Sequence, residues 1–293
     1  MSPQMTGDLM QTLVLGASGM LGNAVFRLLS ETGGLKVHGT VRSQRAASLL
    51  APHLRDRLIV GLDVADVDAL AKLLGDVRPD VVVNCIGLVK QLDDASDPLA
   101  AIPVNAILPH RLARLCNLIG ARLIHISTDC VFSGARGNYV ETDHPDAQDL
   151  YGRSKLLGEV ICANAVTLRT SIIGTELEGA HSLVGWFLAQ QGRVNGFAKA
   201  FFSGLPTVEL ARIIRDHVVP NNGLRGLYHV GSTPISKFEL LHLVAEAYDK
   251  SIIIERNESF ILNRSLDSRR FYEATGYSVP DWPTLVRSMR DFG

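Results

Sequence analysis

The chain is 293 residues long, 46% hydrophobic and 20% charged, with a formal net charge of -1. It can bury a sizeable core in one large domain or a domain with a lobe, and its balanced charge excludes an electrostatic reason to expect nucleic acid or an anionic membrane as partner. Apolar runs such as VVV at 81 and SIIG at 171 fall far below the roughly 18 residues of a membrane span.

The opening stretch, MSPQMTGDLMQT, has neither a basic flank nor an apolar signal core and reads as a short leader of a cytoplasmic protein. Short apolar runs then alternate with helical patterns. Strands are expected at TLVLG (12–16), KVHGTVR (36–42), RLIVGLD (57–63), DVVVNCIG (80–87), RLIHIST (122–128) and VTLRTSI (166–172). Helices are expected at LGNAVFRLLSE (21–31), DVDALAKLLG (66–75), VNAILPHRLARLCNLIG (104–120) and YGRSKLLGEVICAN (151–164). Asp66 is placed to cap the second of these, and Pro109 to sit near the start of the third or to kink it.

This alternation predicts an α/β fold: a Rossmann-type doubly wound parallel sheet covered by helices on both faces. The Rossmann-type domain is expected over 11–173, with 207–232 returning to the sheet through GLYHVG at 226. After residue 173 the rhythm changes, and 174–206 with 233–293 is read as a smaller C-terminal substrate-binding lobe containing the helix SKFELLHLVAEAYD at 236. Cysteines at 85, 116, 130 and 162 show no paired spacing, so neither a disulfide framework nor a zinc site is indicated, and no compact carboxylate cluster points to another metal.

The first strand runs directly into GASGMLG, which puts Gly16, Gly19 and Gly22 at the mouth of a helix. Glycines there let backbone amides approach a pyrophosphate, and the helix N-terminus adds partial positive charge. Ser18, Met20 and Leu21 share the loop, and Cys85, Ile86 and Gly87 end the fourth strand beside it. The second strand ends in Arg42, with no carboxylate, which suits the extra phosphate of NADP(H) over NAD(H); NAD(H) is the alternative, and Arg45 is a second candidate for the phosphate. Asp63 and Val64 follow the third strand, where the carboxylate can accept from the adenine amino group.

These pieces, together with VNCIG at 83, VNAILP at 104, HISTDCVFSG at 125, YGRSKLLGE at 151, LRTSIIG at 168, SGLPT at 203 and NRSLDS at 263, resemble the extended short-chain dehydrogenase/reductase superfamily, and within it the dTDP-4-dehydrorhamnose reductase family. The resemblance runs in family order over nearly the whole chain. It implies reduction of the 4-keto group of a nucleotide-linked 6-deoxy-hexose by NADPH, in polysaccharide or glycoside synthesis, by a protein for which a homodimer is open. The family's catalytic set maps onto Thr128, Tyr151 and Lys155. A tyrosine is a poor acid or base at neutral pH, and a lysine one helical turn away is expected to lower its pKa by about one to three units. Thr128 would hydrogen-bond the same carbonyl oxygen.

Asp129, Val131, Phe132 and Arg193 are the candidate sugar-nucleotide contacts, although Val131 and Phe132 equally fit a core. Lys90, Lys199, Arg269 and Arg270 are further candidates for the diphosphate. Cys130 departs from the aromatic residue usual in the reductases, and no activating partner marks it as a nucleophile. His125, inside an apolar strand, is expected to be a hydrogen-bonded core histidine. Two other readings stand: an epimerase or dehydratase of the same superfamily, disfavoured by Arg42 and by the missing acid after Asp129, and a non-catalytic NADP-binding regulatory subunit.

Overall fold

The computed structural model describes residues 9–88 and 96–293. Its centre is a seven-stranded sheet in which neighbouring strands pair parallel. In chain order the first half comprises β1 (Met10–Leu15), α1 (Met20–Ser30), β2 (Leu35–Val41), α2 (Gln44–Ser48), β3 (Leu58–Val60), α3 (Val67–Val77), β4 (Val81–Asn84), α4 (Pro98–Ala101), α5 (Leu108–Leu118) and β5 (Arg122–Thr128). Then follow α6 (Leu150–Leu157), β6 (Ala165–Thr170), β7 (Ile172–Ile173), α7 (Leu183–Ala189), β8 (Arg193–Phe202), β9 (Leu205–Pro206), α8 (Thr207–Ile213) and β10 (Gly226–His229). The chain closes with β11 (Ile235–Ser236), α9 (Lys237–Ala247), β12 (Ile253–Asn263), α10 (Arg269–Thr275) and α11 (Trp282–Phe292).

The strand order is β10-β6-β5-β4-β1-β2-β3, so the direction of winding reverses between β1 and β4. The crevice outside the carboxyl ends of those strands is where an open α/β sheet takes ligands. Period-two alternation splits the strands between two cores. Val14, Val83 and Ile124 face one core with Phe26 and Leu29 of α1, whereas Leu13, Leu15, Val82 and Leu123 face the other with Leu70, Leu74 and Leu112. Each such side chain contributes about 1.5–3 kcal/mol by leaving water. A second, three-stranded sheet has the order β11-β8-β12, and β7 pairs β9 in parallel.

Three boundaries differ from the sequence expectation. β3 stops at Val60 because Gly61 turns left-handed at φ +91°, leaving Asp63 in a loop. α6 ends at Leu157, not at residue 164. There Gly158 packs so closely that a Cβ would meet the Asn105 carbonyl oxygen at 1.9 Å. Beyond it, the Thr167 hydroxyl bonds both the N–H and the C=O of Val160, at 3.2 and 2.7 Å, which replaces helical hydrogen bonds. The third expected helix begins as a π-helical segment over Ile102–Ile107 and tightens to α5, with Pro109 in its first turn. Asp66 caps α3 as expected, accepting from the N–H groups of Asp68 and Ala69.

The C-terminal stretch reaches back to the first half of the chain. The Arg27 guanidinium lies 3.9 Å from the centre of the Phe292 ring and donates to the Phe292 carbonyl at 3.2 Å. Leu285, Val286 and Met289 share the core that holds Val14 and Phe26. Among the described residues no helix is long and apolar enough to cross a membrane.

Candidate active site

The glycine loop is a cradle with no room for side chains. Gly16 is left-handed at φ +82°, and a Cβ on it would stand 2.9 Å from Ile86 Cγ1. Its N–H donates to the Thr40 hydroxyl at 3.2 Å, and the Ala17 N–H to the Thr40 carbonyl at 2.9 Å, which fixes the loop to β2. A Cβ on Gly22 would lie 2.0 Å from the Gly16 carbonyl oxygen, so only glycine lets α1 start this close to β1. Gly19 sits at the N-cap of α1 with no side-chain cap, leaving first-turn amides for an anion. Leu21 is buried in the core and offers the site backbone only, while Ser18 and Met20 are half-buried. These features fit a dinucleotide pyrophosphate.

Arg42 follows β2 directly and is exposed, as the phosphate reading requires. Arg45 is engaged in an ion pair with Glu178 from the segment after β7. Asp63 accepts from the Ala65 N–H at 2.9 Å through one carboxylate oxygen, and Val64 packs at the margin of the second core. Cys85 donates its N–H to the Leu15 carbonyl at 3.1 Å, and burial pushes its thiol up to about 12.

On the other side of the crevice, Thr128 ends β5 and caps the following turn, accepting from the Cys130 N–H at 3.1 Å. Its hydroxyl donates to Asp129 at 3.2 Å and lies beside the phenol of Tyr151, whose pKa it acts to lower. Tyr151 opens α6, whose N-cap Asp149 accepts from the Gly152 N–H at 2.7 Å. A Cβ on Gly152 would meet the Cys130 carbonyl oxygen at 2.2 Å, so the two catalytic segments touch backbone to backbone. One turn on, the buried Lys155 donates to the Ile126 carbonyl at 2.8 Å.

Lys155 also joins the two halves of the site. A Cβ on Gly87 would lie 3.8 Å from Lys155 Nζ and 3.4 Å from Asn105 Oδ1. The Asn105 side chain holds the Leu88 N–H at 2.9 Å, the Leu88 carbonyl at 3.1 Å and the Ser154 hydroxyl at 3.2 Å. Close approaches therefore link Gly16 to Ile86 and Gly87 to Lys155, which shares α6 with Tyr151, while Gly152 of that helix rests on Cys130 beside Thr128.

The expected lowering of the phenol pKa is not what the structure shows. Burial raises the pKa of Tyr151, with Cys130, Asp129 and Asp149 adding to it against the Thr128 hydroxyl. The cost of burying a phenolate outweighs the helical lysine, so Tyr151 stays protonated. Lys155 is pushed down to about 8 by desolvation, resisted by Glu159 and Cys85. Burial raises the pKa of Asp129, opposed first by Arg264. The Cys130 thiol is pushed up to about 12 by burial and by Asp129, which removes the thiolate a nucleophile needs.

Other candidates fall elsewhere. Val131 and Phe132 are fully buried in a small core with Tyr139 and Leu266, Phe132 stacking on Tyr139 at 4.1 Å, so they form core and do not line a pocket. Arg193 pairs with Glu255 at the start of β8, nine residues along the strand from the Phe202 end. It is exposed there and is not brought to Thr128 and Tyr151. Lys199 pairs with Glu258 and Arg269 with Asp267, and Arg270 covers the Tyr228 ring. Lys90 lies outside the described residues. His125 is fully buried with Nδ1 3.1 Å from Asn84 Nδ2, and burial, Lys155 and His110 lower its pKa.

Two residues near Asp129 went unrecognised in the sequence. Arg264 donates through Nε to the Phe132 carbonyl at 2.8 Å and through Nη1 to the Cys130 sulfur at 3.5 Å. Lys237, the first residue of α9, is half-buried within the field of Asp129, Cys130 and Arg264. Only NRSLDS pointed at the first, and nothing marked the second.

Comparison with known proteins bears on this arrangement. Residues 10–258 match the family described as RmlD substrate binding domain. A probable low-salt glycan biosynthesis reductase, Agl14, of Haloferax volcanii is 34% identical over 182 residues, 60% of this chain and 58% of that protein. A dTDP-4-dehydrorhamnose reductase of Streptomyces griseus is 35% identical over 148 residues, covering 50% and 43%. The matches thus span about half the length of these curated relatives. Methionine adenosyltransferase 2 subunit beta of Rattus norvegicus is 26% identical over 252 residues, covering 82% and 72%. Among solved structures, a hypothetical dTDP-4-dehydrorhamnose reductase from Sulfolobus tokodaii superposes with a TM-score of 0.77 at 27% identity, covering 93% of this chain and 98% of that one. The glycine cradle, the Thr128–Tyr151–Lys155 cluster and a match over most of its length place this chain in the RmlD substrate binding domain family.

Proposed function

We propose that this protein reduces the 4-keto group of a nucleotide-linked 6-deoxy-hexose, using NADPH. The observation that carries the reading is the set of close approaches at Gly16, Gly87 and Gly152, which sets a dinucleotide cradle and a protonated phenol on one crevice. The names of the Agl14 and Streptomyces griseus relatives support it.

When bound, NADPH supplies the hydride for the sugar carbonyl. The loop of Gly16, Ser18, Gly19, Met20, Leu21 and Gly22 would hold its pyrophosphate against the first turn of α1, and Cys85, Ile86 and Gly87 would border it. Arg42 takes the 2′-phosphate, with Asp63 and Val64 at the adenine end. Lys155 holds the nicotinamide ribose. Tyr151 gives its proton to the oxygen as negative charge develops there. Thr128 orients that oxygen from beside the phenol. Asp129 bonds Thr128 at 3.2 Å and borders the sugar.

Following loss of reduced-nicotinamide absorbance with NADPH and a panel of nucleotide-linked 4-keto sugars tests this reading; no turnover with any of them would overturn it. A second reading, a regulatory subunit, draws on the 82% of this chain that matches methionine adenosyltransferase 2 subunit beta. It predicts NADP binding without turnover.

A further inference from the structure

Among the described residues, Arg264 and Lys237 lie close to Asp129 with no other carboxylate paired to them. Arg264 spends Nε on the Phe132 carbonyl and Nη1 on the Cys130 sulfur, neither of which is a counter-ion. Its second terminal nitrogen, Nη2, makes no hydrogen bond among the described residues, so the outer edge of the fork is left for a ligand. The Lys237 ammonium likewise makes no hydrogen bond or ion pair among the described residues. The carboxylate they share is Asp129, already hydrogen-bonded to Thr128, Cys130 and Ser171. Among the described residues, two cations and one committed carboxylate leave a net positive charge in a half-buried place, where solvent screens it less than at the surface.

The three-stranded sheet sets the spacing between these two residues, which are distant in sequence. β8 lies between β11 and β12, and its Phe201 is the register partner of both Ser236 and Asn263. That row spans two strand spacings, about 10 Å. Lys237 and Arg264 follow its two ends and step along β8 in opposite directions, because β11 runs antiparallel and β12 parallel to it. Asn263 is tied to the catalytic side, its N–H donating to the Gly134 carbonyl at 2.8 Å. Arg264 reaches Cys130, two residues from Thr128, and both cations lie within the field of Asp129.

We infer that Arg264 and Lys237 form an anion subsite that takes an anionic oxygen group of the substrate, a deepening that rests on the reductase reading of this pocket. A planar guanidinium beside an ammonium fits either the diphosphate that links nucleoside to sugar or a carboxylate carried on the sugar ring. Arg264 is a binding residue here and moves no proton.

Calorimetric titration separates these sources without depending on turnover. The full chain, saturated with NADP+, is titrated with dTDP, UDP, UDP-glucose and UDP-glucuronate, in wild type, R264M, R264K and K237M. R264M and K237M should each weaken binding by about tenfold or more, with R264K in between and the affinity for NADP+ unchanged. Uniform weakening across all four ligands identifies the diphosphate. A wild-type preference for UDP-glucuronate over UDP-glucose of about tenfold, lost in the variants, identifies a sugar carboxylate. Affinities unchanged within about twofold in K237M and in whichever Arg264 variants retain NADP+ binding overturn the subsite, as does failure of the wild type to bind any of the four. Loss of the reductase reading shows separately, as absent NADPH oxidation in a protein that still has this binding pattern.

Discussion

Glu159 and Arg169 meet through two hydrogen bonds of 2.6 Å, with side chains only 5% and 4% exposed. Ser127 donates to the same carboxylate at 2.7 Å, and the Arg169 guanidinium lies 3.3 Å from Nε2 of the buried His229. A pair this deep is costly to break from one side, because the surviving charge has no water to turn to. Arg169→Met should therefore lower unfolding stability by about 3–5 kcal/mol, read as the urea midpoint with an unchanged slope. A loss below about 1 kcal/mol would mean that the interior solvates Glu159 without its partner.

The same carboxylate supports the charge on Lys155, whose pKa stands at about 8 against an ordinary 10.5. In the proposed reaction the lysine holds the ribose as a cation below pH 8 and loses that charge above it, so kcat/KM should fall as pH rises through 8. The linkage has the opposite sign. Between 8 and 10.5 the unfolded chain binds more protons at this residue than the folded one, so its contribution to stability rises over that range. Activity lost above pH 8 is thus separable from unfolding. Glu159→Gln should move the falling limb to lower pH, and a limb that stays in place would sever Glu159 from the chemistry.

Tyr151→Phe removes the proton donor and leaves the glycine cradle untouched. Turnover should drop by about two to four orders of magnitude, while NADP+ affinity by calorimetry stays within about twofold. Retained turnover would place the proton elsewhere, with Thr128 the nearest hydroxyl.

Gly22→Ala tests the cradle itself. The added methyl meets the Gly16 carbonyl oxygen at 2.0 Å, a backbone atom that cannot swing away. Loss of NADP+ binding and a lowered Tm are expected. Gly33→Ala, where nothing lies within 4 Å, serves as the control and should be silent in both measurements.

Arg45 reaches the same end of β2 as Arg42, but Glu178 occupies it. A cofactor phosphate and this carboxylate compete for one guanidinium. Glu178→Ala should tighten NADPH by a few-fold, as befits an exposed pair worth about 1 kcal/mol or less, and leave NADH unchanged. Equal effects on the two cofactors would show that Arg45 plays no part in choosing between them.

The parallel sheet and the glycine loop were legible because both rest on local pattern: continuous Val, Ile and Leu runs, and glycines where only glycine fits. Thr128, Tyr151 and Lys155 were legible through spacing and resemblance. The phenol's pKa was not, since it depends on how deeply the ring is buried, and spacing within one helix says nothing of that. Val131 and Phe132 look alike as pocket or core until Tyr139 and Leu266 arrive from distant segments. Arg264 and Lys237 both lie within the field of Asp129 although they come from segments far apart in the chain, and no short window of sequence contains that fact. The end of α6 was missed for a related reason: its stop is set by Thr167, in the next strand, bonding Val160.

The contact between Gly152 and the Cys130 carbonyl has a consequence for how such a site can diversify. Because main chain rests on main chain, the separation of phenol and threonine is independent of what residue 130 carries beyond its Cβ. Side chains at 130 and at 264 can then be exchanged to suit a different ring substituent while the proton donor stays in place. Chemistry and selectivity are in this sense separately heritable, and a new sugar preference is open to the fold by substitution at a few positions that bear no part of the proton transfer.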